Sequence, residues 1–187
     1  DANTYQTVFT FNVSNVGPVV ASNIQLTDNL NTAFPSPITY TVVGLSASSP
    51  LTSNSGYNGN TNIALLSGVD ALNVYQSAVV TLTVNFNMNN ANAGSLYNIG
   101  VASSSNLPDP NGNGTHTSSD TTGVGNNADP DGDGNPNEPG ENTPTEFGQQ
   151  IGVAKSVLSS VSLGNSISQT TFMFTIQNLG VVPASNV

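Results

Sequence analysis

Apolar and polar side chains alternate along most of this chain. Phe9, Phe11 and Val13 alternate with Thr10 and Asn12, the period-2 signature of a half-buried strand. Ser77–Phe86 is the clearest case. Ala78, Val80, Leu82, Val84 and Phe86 face one way; Val79, Thr81, Thr83 and Asn85 face the other. Ile24 and Leu26 head a further strand ending at Asp28-Asn29, and Ile38, Tyr40 and Val42 make another. Asn62–Leu66 is a short strand candidate, and Tyr97–Ser104 another strand. Ile151–Val161 and Phe172–Ile176 complete the series. Asn15-Val-Gly-Pro18 is a turn, and residues 46–61, rich in Ser, Asn and Gly, form a loop. No segment has a 3.6-residue period. About seven short strands separated by turn signals predict an all-β fold, an antiparallel β-sandwich of immunoglobulin-like type.

The chain repeats itself. Thr4–Ile24 aligns without a gap on Ile167–Val187. Gln6 meets Gln169, Phe9 meets Phe172, Phe11 meets Phe174 and Asn15 meets Asn178. Gly17 meets Gly180, and Ala21-Ser-Asn23 meets Ala184-Ser-Asn186. The offset is constant: 180 − 17 = 163. A period this long means whole domains in series, not a solenoid of single turns. Three regions are expected: a sandwich over 1–106, an acidic linker over 107–148, and the opening strands of the next repeat over 149–187. By this alignment Ile151–Val161 is the first strand of the following repeat, and its counterpart in the first is expected before Asp1. The chain is therefore expected to be a window on a longer tandem array or a polymer. A sandwich lacking an edge strand exposes unpaired N–H and C=O groups, which a strand from a neighbouring copy can fill.

Charge narrows the partners. Eleven acids face one cation, Lys155, for a formal net charge of −10. No basic patch exists for nucleic acid or an anionic membrane, whereas divalent cations are natural counterions. There is no cysteine, which rules out disulfides and thiolate metal sites. No apolar run approaches the roughly 18 residues of a membrane span.

Eight of the acids (Asp109, Asp120, Asp129, Asp131, Asp133, Glu138, Glu141 and Glu146) fall between 109 and 146. Within that stretch Asn127, Asp129, Asp131, Asp133 and Asn135 alternate, with Gly132 sixth and Glu138 twelfth. That is calcium-loop spacing: side-chain oxygens at positions 1, 3 and 5, a carbonyl at 7 and a bidentate Glu at 12. Calcium needs six to eight hard oxygens, and glycine permits the sharp turn that converges them. Pro130, Pro136 and Pro139 forbid flanking helices, so the loop is not part of an EF-hand. A weaker copy lies upstream, with Asp109, Asn111 and Asn113, Gly114 sixth and Asp120 twelfth. The competing reading of both is a solvated acidic linker.

Catalytic groups are scarce. His116 is the single histidine and sits in a polar stretch. Outside 109–146 the acids are Asp1, Asp28 and Asp70, the last two expected to end a strand or cap a turn. There is no Trp to line a sugar cleft, and Lys155 is expected as a strand-edge charge. An enzyme is not expected.

Phe9-Thr-Phe-Asn-Val-Ser-Asn-Val-Gly-Pro18, Ala21–Leu30 and Leu72–Val84 resemble the conserved repeat domain of unknown function found in long bacterial cell-surface proteins. Asp129–Glu141 and the restart Ile151-Gly-Val-Ala-Lys-Ser156 resemble the versions in Bacteroidetes-type adhesins and surface fibres. The resemblance implies an immunoglobulin-like fold, export, and a structural or adhesive role. The expectation is an extracellular fibre or adhesin stalk stiffened by calcium, with copies of itself as partners. A glycan- or surface-binding module presenting a flat Thr/Asn/Ser face is the alternative.

Overall fold

The computed structural model describes residues 4–91, 95–108, 115–123, 125, 127, 130, 131, 145–148, 151–164 and 167–178. Strands dominate, in several antiparallel sheets, with almost no helix. The all-β expectation holds.

Two sheets share one buried hydrophobic cluster. The first has the order β1-β5-β3: β1 (Thr4–Ser14), β5 (Ser77–Asn87) and β3 (Thr39–Ala47). The second has the order β4-β2-β7-β8: β4 (Ala71–Leu72), β2 (Ala21–Asp28), β7 (Gly100–Pro108) and β8 (Thr115–Thr121). The alternation seen in the sequence sets the faces. Phe9, Phe11 and Val13 of β1 and Ala78, Val80, Leu82, Val84 and Phe86 of β5 are buried, with Ile24 and Leu26 of β2 opposite. β1 and β5 pair over their whole length without a register shift, from Thr4↔Asn87 to Ser14↔Ser77. β3 joins β5 with an irregularity at Val42/Gly44.

Connections carry core residues too. Leu30–Ala33 forms a single helical turn (α1) whose N-cap Asn29 accepts from the Asn31 N–H. It delivers Leu30, Ala33 and Phe34 to the core, where the Phe34 ring lies 5.0 Å from that of Phe86. The loop expected over 46–61 begins at 48, because Ser46 and Ala47 belong to β3, and it is a packed loop that buries Leu51 and Tyr57. Its backbone is held by asparagines: Asn58 Oδ1 accepts from the Asn60 and Asn62 N–H groups, and Asn54 donates to Ala64 O. The expected strand over Asn62–Leu66 makes two isolated bridges, Ala64 to Thr27 of β2 and Leu66 to Ser53, with the Leu65 N–H donating to Leu26 O at 2.7 Å.

The repeat's shared residues have structural work in the first copy. Buried Asn15 donates its side-chain amide to Val19 O, Leu72 O and Asn73 O and accepts from the Gly17 N–H. It thereby pins the β1–β2 turn to β4. Asn23 takes a left-handed φ of 52° where the β2–β7 register shifts, a conformation asparagine tolerates better than most residues.

Tyr97–Ser104 is divided at Ile99 into β6 (Ser95–Asn98) and β7, which belong to different sheets. β6 pairs with β9 (Thr145–Gly148). Strands β8 and β9 thus fall within the stretch expected to be linker alone. β10 (Ile151–Gly164) and β11 (Ile167–Asn178) form a two-stranded ladder of their own. Between the two ladders, β11 matches β1 in sequence but not in burial. Phe11 is 8% exposed and its counterpart Phe174 is 61% exposed.

Candidate functional site

The downstream part of the acidic stretch, residues 123–144, is anchored at both ends to one place. At its start the Thr122 N–H donates to Gly100 O at 2.9 Å, and the Gly100 N–H donates to Thr122 Oγ1 at 3.1 Å. At its end Thr145 pairs with Asn98. Asn98 and Gly100 are two residues apart, so residues 123–144 leave from and return to the same junction of β6 and β7. The neck of the acidic segment is therefore part of the first unit's ladders.

A buried acid lies under that neck. Asp28 ends β2, as expected, and pairs with Gly100. It is 1% exposed, and Asn98 is 2% exposed. Asn98 Nδ2 donates to Asp28 Oδ2 at 2.7 Å, and the Tyr57 hydroxyl donates to Asp28 O at 3.2 Å. Among the described residues no donor reaches Asp28 Oδ1, and Asn98 Oδ1 has no partner either. Burial pushes the Asp28 carboxyl up to about 6, against the opposing pull of the Asn98 hydrogen bond. The same burial, with the Asp28 charge nearby, pushes the Tyr40 and Tyr57 hydroxyls up. Among the described residues no charge in this cluster opposes Asp28, and an acid so placed keeps its proton more readily than one in water. The expectation of a strand end or turn cap for Asp28 does not include its burial. Its phase gave the signal for burial, since residues 24, 26 and 28 share one face of β2.

Asp70 meets its expectation as a turn organiser. Its carboxylate accepts from the Thr52 N–H at 2.7 Å and from the Ser67 hydroxyl at 3.1 Å. Lys155 lies in β10 with Nζ 4.0 Å from the centroid of the Phe172 ring and 5.4 Å from that of Phe174.

The proposed calcium ligands are only partly described. Asn127 and Asp131 are exposed. Asp129, Asp133, Glu138 and Glu141 lie outside the described residues, as do Asp109, Asn111 and Asn113. Among the described residues no three His, Cys, Asp or Glu side chains cluster closely enough to hold a metal ion. Asp120 sits within β8 opposite Ala102. Pro108 pairs with Thr115, so Asp120 stands five residues along β8 from that pair, roughly 16 Å. Its carboxyl is pushed up by partial burial, against a hydrogen bond from the Thr121 backbone. Asp120 Oδ1 is buried with no donor among the described residues.

Comparison with protein-family models, with curated proteins and with solved structures finds no match. Among the described residues no helix is long and apolar enough to cross a membrane.

Proposed function

We propose that this chain is a structural repeat of an extracellular bacterial fibre or adhesin stalk. In this reading it is an immunoglobulin-like sandwich, stiffened by calcium and assembled on copies of itself by tandem or donor-strand packing. The observation that carries the reading is the gapless 163-residue repeat, in which Phe172, Phe174 and Ile176 reproduce the core residues Phe9, Phe11 and Val13. A chain that restarts its own core pattern is built to be used in series.

Calcium is proposed from the donor set. Asn127, Asp129, Asp131, Asp133 and Glu138 offer only hard oxygens at calcium-loop spacing, which suits calcium over zinc or copper. The loop that carries them is tied at both ends to Gly100 and Asn98. An ion bound there would therefore stabilise the β6–β7 junction as well as the loop. The downstream set carries the proposal; Asp109, Asn111, Asn113 and Asp120 are the lesser candidate, because Asp120 is held along β8. Glu141 is a supplementary oxygen donor beyond the twelfth position. Electron microscopy of the chain at high concentration tests the reading. Extended fibres that shorten or vanish with chelator support it, and compact single particles in both conditions refute it.

The alternative is a glycan- or surface-binding module. The outer face of β1-β5-β3 favours it: Thr10 pairs with Thr81 and Thr81 with Ser46, a cross-strand row of hydroxyls without charge. A glycan array would separate the two readings.

A further inference from the structure

We infer that β10 of one copy pairs along the β5-distal edge of β1 in a second copy, in the register it now makes with β11. The inference rests on the fibre reading and deepens it by naming the strand, the edge and the pairing. Three observations carry it.

The first is the edge. In the order β1-β5-β3, strand β1 is outermost, and among the described residues no strand lies on its far side. Its ladder to β5 runs through eleven paired residues without a bulge, whereas β3 on the opposite edge is broken at Val42/Gly44. Thr4–Ser14 contains no charged residue and no proline. Soluble proteins guard edges with those features, and a long, regular, uncharged edge is a template for another strand.

The second is the occupant. β11 matches β1 at the 163-residue offset, and β11 is paired with β10. A strand that accepts β10 in one copy of the sequence has the side-chain pattern to accept it in the other. Subtracting 163 from the β11 partners gives the register. Val153 faces Val13 (176 − 163), Ser156 faces Thr10 (173 − 163) and Val157 faces Phe9 (172 − 163).

The third is the drive. In the β10–β11 ladder both faces are in water: Val153, Val157, Phe172 and Ile176 are exposed on one, and Ser156 and Met173 on the other. A lone two-stranded ribbon is marginal in water. On β1, strand β10 would extend a sheet whose inner face is already a packed core, and its Val153 and Val157 would continue the rows of Val13 and Phe9. Exchange of an identical element between copies costs little, because the same pairings are re-formed.

The absence of cysteine gives a clean test. Ser156→Cys and Thr10→Cys are made in separate full-length chains, both at exposed positions where folding is little affected. They are mixed, oxidised and analysed on a non-reducing gel, with light scattering on the same samples. The proposal expects a covalent heterodimer from Ser156→Cys with Thr10→Cys. It expects none from Ser156→Cys with Gln6→Cys, a pair four residues out of register. Facing positions on antiparallel strands have Cβ atoms close enough for a disulfide, and positions four residues apart do not. Association by light scattering without the Ser156–Thr10 cross-link overturns the strand assignment and leaves the fibre reading standing. Chains that stay monomeric overturn both.

Discussion

Asn98 donates its side-chain amide to the carboxylate of Asp28 at 2.7 Å inside the core, leaving one oxygen of each without a partner among the described residues. The pair bridges β6 and β2 where the acidic segment begins and ends. With its carboxyl raised to about 6 from an ordinary 3.8, folded Asp28 holds its proton over a range in which the unfolded chain has lost it. The folded state binds more protons between about pH 4 and 6, so this group's contribution to stability falls as pH rises through that window and is level above it. Asp28→Asn removes the charge and offers an N–H to the unpartnered Asn98 oxygen. In chelator, its urea midpoint is expected to exceed that of the unaltered chain at pH 8, by about 2 kcal/mol in stability. The difference should shrink toward pH 4. Equal midpoints at both pH values would show that Asp28 is not a buried acid.

Gly59 is required by its neighbour. Its φ is +73°, and a Cβ there would lie 2.5 Å from Leu30 Cδ1 and 2.8 Å from Leu30 Cβ. Rotating Leu30 cannot relieve a clash with its own Cβ, and the Gly59 carbonyl accepts from the Leu30 N–H at 2.8 Å. Gly59→Ala should cost more than about 2 kcal/mol in a denaturant melt. A loss below half that would mean that α1 moves freely.

Asn15 holds three carbonyls with one amide group. Asn15→Ala leaves buried acceptors unpaired and should cost about 2–3 kcal/mol. Asn15→Asp should be no better, because a carboxylate cannot donate to those carbonyls. A thermal melt of the two variants checks this; recovery of stability in Asn15→Asp would contradict the hydrogen-bond account.

Strands with a strong period of two were legible from the sequence. From Thr7 in β1 and Ala78 in β5 every second side chain is buried, while the apolar Val8 and Val79 fall on the exposed phase. β8 was not legible, since Thr-His-Thr-Ser-Ser-Asp-Thr has no apolar alternation. Its place is set by the ladder to β7, a tertiary pairing that local pattern does not encode. The break at Ile99 was hidden because apolar residues continue across it while the chain changes sheets. Of the candidate site, the acid spacing was plain in the sequence. The closure of its neck on Asn98 and Gly100 was not, because it depends on pairings between residues more than twenty positions apart.

Neutralising part of the acidic loop should act only through the metal. The triple change Asp129→Asn, Asp131→Asn and Asp133→Asn removes three formal charges and weakens the side-chain ligands at positions 3 and 5, leaving the position-7 carbonyl in place. Isothermal calorimetry with calcium chloride should lose its heat of binding, while the far-ultraviolet circular dichroism of the β-sheets is unchanged. Retained binding would move the ion to other oxygens.

The most direct measurement is a thermal melt of the intact chain in millimolar calcium and in chelator. Because Thr122 and Thr145 fasten the loop to Gly100 and Asn98, an ion held by Asn127, Asp129, Asp131, Asp133 and Glu138 should stabilise the whole unit. At about a hundredfold excess over the dissociation constant the gain is about 2.7 kcal/mol, a rise in Tm of several degrees for a chain of this size. Superimposable melts in the two buffers would contradict calcium stiffening and leave the acidic segment as a spacer.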